Sequence, residues 1–179
     1  MEEDNQEVRE PLPARESNLL ESEVKSPHLA LLERARGAIL GAALGDALGL
    51  QVDGDDAQSI ADRHPNLPNY PYAGAYGGYP ACDWTDATDM ALLTARTLKA
   101  FFTKASDDPV LDLAMRIAKW HKQGFPELGD FAGVRPESVV LRALAARDFT
   151  VRPLHVACEI KGYKAENGAM TRSIFCAFV

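Results

Sequence analysis

The chain has 179 residues, of which 46% are hydrophobic and 25% are charged, and its formal net charge is −7 at pH 7. This composition is typical of one globular domain, and the acidic residues concentrate in residues 1–27, which we expect to be a disordered tail before a domain at residues 28–179. The nearly neutral remainder has no basic stripe for binding nucleic acid, so a nucleotide-like ligand would depend on local donors.

The cysteines and the N-terminus indicate the cellular compartment. Three cysteines, Cys82, Cys158 and Cys176, are widely spaced and form no CxxC pair, which argues against a disulfide framework or a zinc site. The acidic N-terminus has neither the basic start nor the apolar core of a secretory signal. We therefore expect a cytoplasmic protein, with a nuclear location left open.

The first predicted helix runs from about Leu29 to Leu50 and includes the stretch GAILGAALGDALGLQVD, residues 37–53. Its glycines recur at every fourth position, and each costs about 1 kcal/mol relative to alanine in a helix interior. We expect other helices to cross this one closely, because a close crossing needs bare backbone. Asp46 near the middle and the short apolar length argue against a membrane span.

The rest of the sequence also predicts helices, separated by loops. Residues 53–83 are rich in Pro, Gly, Asn and Tyr and predict a long loop with one helical turn near residues 57–63. A helix capped at residues 83–85 and ending near Phe102 should bury one face, formed by Leu92, Ala95, Leu98 and Phe102. Further helices are predicted from Asp108 to Gly124, after Pro136, after Pro153 and over residues 168–179. No stretch alternates with a two-residue period, so the predicted class is all-α.

The stretch DWTDATDMALLTA, residues 83–95, places oxygen-bearing side chains around a predicted helix start. Such side chains cap exposed amides and complement the positive end of the helix dipole. Hard oxygens clustered on one turn are also what Mg²⁺ or Ca²⁺ prefers. The residues alone leave both interpretations open.

Four blocks in the chain resemble the ADP-ribosylglycohydrolase family. These are the glycine helix Gly37–Gly49, the turn Trp84–Met90, the segment Gly124–Asp130 (GFPELGD) after Trp120, and the Asn-Gly-Ala-Met-x-Arg block at residues 167–172. The DWTD start and GFPELGD are similar to the subgroup common in fungal genomes. The blocks occur in the family's order from about residue 34 to residue 178.

The resemblance implies an orthogonal helical bundle that binds two Mg²⁺ ions in a central cleft and hydrolyses the glycosidic bond between ADP-ribose and an acceptor. The metals of such a site clamp ribose hydroxyls and polarise the attacking water. The implied partner is an ADP-ribosylated protein or a small molecule containing ADP-ribose. Residues that match the family's site are Asp53 as the catalytic acid, Thr85 and Asp86 as metal ligands, and Asp46, Asp89, Asn167, Gly168 and Arg172 as substrate-binding candidates.

The chain departs from the family pattern at residues that the metals need. Ala87 stands where the family has a second aspartate, and Asp53 stands where the family usually has a glutamate. The family's second pair of metal-binding acids lies C-terminal of the Asn-Gly-Ala-Met block, so we expect this chain to represent the first half of the fold, or a fragment of a gene. A hydroxyl and one carboxylate should hold Mg²⁺ weakly, which predicts impaired hydrolysis.

Two functions therefore remain open from the sequence. The first is a Mg²⁺-dependent ADP-ribosyl hydrolase in which other donors, such as Asp89, replace the missing carboxylate. The second is a non-catalytic relative that binds ADP-ribose weakly or serves as an interaction surface. Half a bundle also leaves apolar helix faces without cover, which predicts self-association.

Overall fold

A computed structural model describes residues 27–65, 78–80, 83–160 and 168–173. Its regular elements in those ranges are helical, which confirms the predicted all-α class. They are α1 (Pro27–Gly49), a 3₁₀ turn (Leu50–Val52), α2 (Ala57–Arg63), α3 (Asp86–Phe102), α4 (Pro109–Gln123), a second 3₁₀ turn (Pro126–Leu128), α5 (Ser138–Ala145), α6 (Pro153–Glu159) and α7 (Gly168–Arg172). The predicted tail at residues 1–27 lies outside the described residues except for Pro27, which begins α1.

The chain divides into two units after Gly37, inside α1. Of the first unit, the described residues are the N-terminal part of α1, where Leu31 and Leu32 are exposed. The second unit comprises residues 38–179 and contains the remaining helices and the candidate site.

Local caps set the helix boundaries. Thr85 begins α3 by accepting a hydrogen bond from the Ala87 backbone N–H, and Asp108 begins α4 by accepting from the N–H groups of Val110 and Leu111. Gly124 ends α4 with a φ of 60°, a left-handed conformation that favours glycine. The predicted boundaries of α2, α3 and α4 are therefore confirmed. The helix predicted after Pro136 begins two residues later, at Ser138.

The core lies between α3, α4 and the helices that follow. α3 packs against α4 and α7, while α6 packs against both α4 and α5. Trp120 and Met90 are the largest fully buried side chains. The buried members of the core cluster are Met90, Leu93, Ala114, Ile117, Trp120, Phe125, Val140, Phe149 and Val156.

The buried face of α3 differs in part from the predicted one, of which Leu92, Ala95 and Leu98 are half-buried. Met90, Leu93 and Thr97 are buried, whereas Phe102 is 56% exposed. The prediction selected apolar residues alone, whereas Thr97 is a polar residue that can be buried since its hydroxyl donates a 2.9 Å hydrogen bond to the Asp112 carboxylate on α4. The buried face of α3 therefore includes a hydrogen-bonded polar residue, which a pattern of apolar residues does not reveal.

The described residues do not show the expected close crossing at the glycines of α1. A Cβ added at Gly37, Gly41, Gly45 or Gly49 would meet nothing within 4 Å among the described residues. The less exposed side of α1 and of the 3₁₀ turn after it is formed by residues at helical spacing: Ile39, Ala43 and Asp46 are half-buried, and Leu50 is buried. At about 100° per residue Gly41 and Gly45 lie on the opposite face, where they leave open space among the described residues.

Candidate active site

The site begins with Asp46, which the C-terminal part of α1 brings to the start of α3. Its carboxylate accepts hydrogen bonds from the backbone N–H and hydroxyl of Thr85, at 3.0 and 2.8 Å. The backbone N–H and hydroxyl of Thr88 donate to the same carboxylate, at 3.3 and 2.6 Å. A carboxylate at this position satisfies the free amides of α3 and complements its dipole.

Thr85 uses its hydroxyl twice. It donates to Asp46 and accepts from the Ala87 backbone N–H at 3.2 Å. The capping interpretation of this turn is therefore confirmed for Thr85.

Asp86, the first residue of α3, is held by the segment that precedes α5. Its carboxylate accepts a 3.0 Å hydrogen bond from the Glu137 backbone N–H, and the Glu137 side chain forms a 3.1 Å ion pair with Arg172. Burial raises the pKa of Asp86 to about 6, and the negative charges of Glu137 and Asp46 also raise it. The hydrogen bond from the Glu137 backbone N–H and the positive charge of Arg172 lower it.

A polar cleft of about 330 Å³ brings four of the eight predicted site residues together. Asp53 follows the 3₁₀ turn after α1 and is exposed at this cleft. The complete lining consists of Asp46, Gly49, Leu50, Asp53, Tyr79, Thr85, Asp86 and Arg135. The lining thus includes Asp46, Asp53, Thr85 and Asp86, four residues that sequence reasoning assigned to one site, and their roles stay predictions.

The cleft also contains residues that sequence reasoning missed. Tyr79 is buried, its hydroxyl donates a 3.4 Å hydrogen bond to the Val134 carbonyl, and burial raises its pKa to about 12. Arg135 lines the same cleft with a φ of 44°. The signal was an arginine directly before Pro136 in a segment with little helical pattern, which is weak because many surface loops contain such a pair.

Asp89 does not line this cleft. It is 8% exposed, and its two carboxylate oxygens accept hydrogen bonds from the indole N–H groups of Trp84 (2.8 Å) and Trp120 (2.9 Å). Burial raises its pKa to about 7, while the two indole hydrogen bonds oppose that rise. Its predicted substrate contact stays a prediction, and in this structure Asp89 joins α3 to α4.

The last predicted group lies beside Glu137. Gly168 begins α7 and is buried directly against the Glu137 carboxylate, which a Cβ at this position would overlap. Arg172 does not line the cleft. It forms an ion pair with Glu137, and its positive charge lowers the pKa of Asp86. Asn167 lies outside the described residues.

The oxygen donors do not fit the two-magnesium centre that the resemblance implies. The Asp46 carboxylate already accepts four hydrogen bonds, and Asp86 accepts one from Glu137. Within the described ranges, no group of three or more His, Cys, Asp or Glu side chains is arranged to hold a metal ion. Mg²⁺ requires near-octahedral oxygen ligation, which these residues alone do not supply.

Ala87 lies on a different surface from the cleft. It lines an apolar groove of about 670 Å³, together with Leu40, Ala43 and Met170, and Asp46 borders both the groove and the cleft. The Ala87 side chain therefore contributes neither an oxygen nor contact area to the polar cleft.

None of the helices among the described residues combines the length and apolar character needed to cross a bilayer.

Comparison with known proteins decides the family. The sequence model of the ADP-ribosylglycohydrolase family matches residues 27–179. The chain belongs to the ADP-ribosylglycohydrolase family.

Curated relatives of this ADP-ribosylglycohydrolase-family chain include an uncharacterized protein of Archaeoglobus fulgidus. The two are 33% identical over 66 residues, which cover 37% of this chain and 21% of the relative. The match thus spans about a fifth of that relative's length. No solved structure matches the chain significantly.

Proposed function

We propose that the polar cleft binds the ADP-ribose part of a modified protein or small molecule, and that this chain hydrolyses the glycosidic bond poorly or not at all. Family membership supports the ligand class and the reaction type. Impaired hydrolysis is inferred from the positions of two neighbouring side chains, those of Asp86 and Ala87. One has its carboxylate at the cleft, and the other has a methyl group in the apolar groove.

Hydrolysis at an anomeric carbon passes through an oxocarbenium-like state and needs an activated water. In this cleft Asp53 is exposed, and its carboxylate has no hydrogen bond with other residues in the described part of the chain, which suits a general base that accepts a proton from water. Asp53 is one methylene shorter than the glutamate usual in the family, and a displacement of about 1 Å can lower a rate on the order of 10²-fold. Any hydrolysis that the chain retains is proposed to depend on Mg²⁺.

Time courses of ADP-ribose release from a modified protein, with and without EDTA, test this proposal. We expect release that is absent or slow at high protein concentration. EDTA-sensitive turnover on the order of 1 s⁻¹ or faster, a typical enzyme value, would contradict the impairment. Calorimetry with ADP-ribose tests binding separately, and stoichiometric binding without turnover supports the second, non-catalytic function.

Two finer assignments belong to the same proposal. The DWTD start at residues 83–86 and GFPELGD at residues 124–130 support the subgroup common in fungal genomes, and the order of the blocks supports equivalence to the first half of the family domain.

Self-association of the chain is a further prediction, because Leu40 and Leu44 on α1 are 70% and 60% exposed. Light scattering over a concentration series tests it, and a monomer at every concentration would contradict it.

A further inference from the structure

Arg135 is a cation in a cleft dominated by carboxylates. Asp46, Asp53 and Asp86 line the same 330 Å³ cleft, and no other Lys or Arg in the described residues lines it. The positive charge of Arg135 acts on the Tyr79 phenol inside the cleft, where it opposes the rise in the Tyr79 pKa. The guanidinium is therefore close enough for its field to reach the cleft interior.

Within the part of the chain that the structure describes, Arg135 forms no ion pair with those carboxylates and no side-chain hydrogen bond. The other arginines near the core are paired, as Arg172 is with Glu137 and Arg116 is with Asp112. Arg135 thus keeps its planar set of donors available at the cleft. Guanidinium donors match phosphate and carboxylate oxygens in pairs.

The backbone of Arg135 is held in an unfavourable conformation. Its φ is 44°, a left-handed value that costs a non-glycine residue about 1–3 kcal/mol, and the following Pro136 restricts the residue further. On either side of the Arg135–Pro136 pair, Val134 and Glu137 form hydrogen bonds with residues of the cleft. The Val134 carbonyl accepts from Tyr79, and the Glu137 backbone N–H donates to Asp86. Arg135 is thus fixed at the cleft by the residues that line it.

From these observations we infer that Arg135 binds the phosphate groups of the cleft's ligand and thereby selects phosphorylated ligands over uncharged nucleosides. The inference rests on the proposed function, because ADP-ribose is the ligand that brings a diphosphate to this cleft. Without a local cation, three carboxylates would repel such an anion. The chain supplies no general positive field to compensate, since its net charge is −7.

The experiment measures binding by calorimetry, which does not require turnover, with ADP-ribose and with adenosine as the uncharged probe. We expect Arg135→Ala to weaken ADP-ribose binding on the order of tenfold or more, as for loss of a charge-assisted hydrogen bond, and to leave any adenosine binding unchanged. Arg135→Lys should weaken it less, because it keeps the charge but loses the paired donors. Arg147→Ala, at an exposed arginine after α5 that lines neither cavity, is the matched control and should bind like the wild type.

Arg135→Gly separates ligand binding from a structural role. Glycine adopts a φ of 44° without the steric cost, so this variant should unfold at a higher temperature than Arg135→Ala while binding ADP-ribose equally weakly. A purely structural arginine would not show weak binding together with recovered stability.

The outcomes distinguish this inference from the proposed function. Wild-type affinity for ADP-ribose in Arg135→Ala would overturn the inference and leave the proposed ligand intact. Efficient metal-dependent turnover together with weak binding by Arg135→Ala would overturn only the impairment. A wild-type chain that binds no ADP-ribose would overturn both.

Discussion

Asp46 and Thr85 are joined by two hydrogen bonds, at 3.0 and 2.8 Å, although 39 residues separate them in the sequence. Through this pair the carboxylate of one helix caps the start of another, and the same carboxylate borders both the polar cleft and the apolar groove. Asp46 thus has a structural role independent of any contact with substrate.

Replacement of Asp46 by alanine should destabilise the protein by about 2–4 kcal/mol, because four donors at the start of α3 lose their acceptor. Urea unfolding followed by circular dichroism measures the change. Asp107→Ala, at an exposed aspartate between α3 and α4, is the control and should leave the midpoint nearly unchanged. Equal midpoints for the two variants would contradict the capping role of Asp46.

The Asp89 carboxyl should make stability depend on pH. Its pKa is raised from 3.8 to about 7 in the folded chain, so the folded state holds the proton more tightly than the unfolded state. Its contribution to the free energy of unfolding is therefore greatest below about pH 4 and is lost as the pH rises to about 7. We expect this decline in wild-type unfolding curves and a shallower one in Asp89→Asn.

Tryptophan fluorescence gives a second measurement of the same group. Trp84 and Trp120 are the two tryptophans of the chain, and both donate to Asp89. The wild-type emission should change with a midpoint near pH 7, and Asp89→Asn should lose that transition. A wild-type emission that is constant between about pH 5 and pH 8 would argue against the raised pKa.

Two glycines should respond to alanine in opposite directions. A Cβ at Gly133 would lie 2.6 Å from the Trp120 ring, so Gly133→Ala should destabilise the protein by about 1–3 kcal/mol through overpacking. A Cβ at Gly41 would meet open space on α1, so Gly41→Ala should stabilise it by up to about 1 kcal/mol. Thermal unfolding of both variants tests this, and destabilisation by Gly41→Ala would indicate that another part of the chain covers this face.

Ala87→Asp should improve metal binding. Ala87 lines the apolar groove together with Asp46, which also borders the cleft, so the new carboxylate would add an oxygen donor where the two surfaces meet. We expect Mg²⁺ binding at least about tenfold tighter than in the wild type, by calorimetry. Ala105→Asp adds the same charge after the end of α3, at an exposed position, and an equal gain there would show a nonspecific charge effect.

The sequence by itself determined the helices, because the interactions that start and stop them are local. Thr85 accepts from a residue two positions away, Asp108 caps within three residues, and Gly124 ends α4 by its own conformation. The same locality explains why the capping role of Thr85 could be predicted.

Only the tertiary structure decided which residues share the cleft and which face of each helix is buried. Asp86 meets Glu137 across 51 positions, and Arg135 has no local pattern that would mark it as a cleft residue. The glycines of α1 follow a regular period, yet the period does not tell whether a neighbouring helix covers them. Such contacts depend on how helices pack, which side-chain spacing along one helix does not encode.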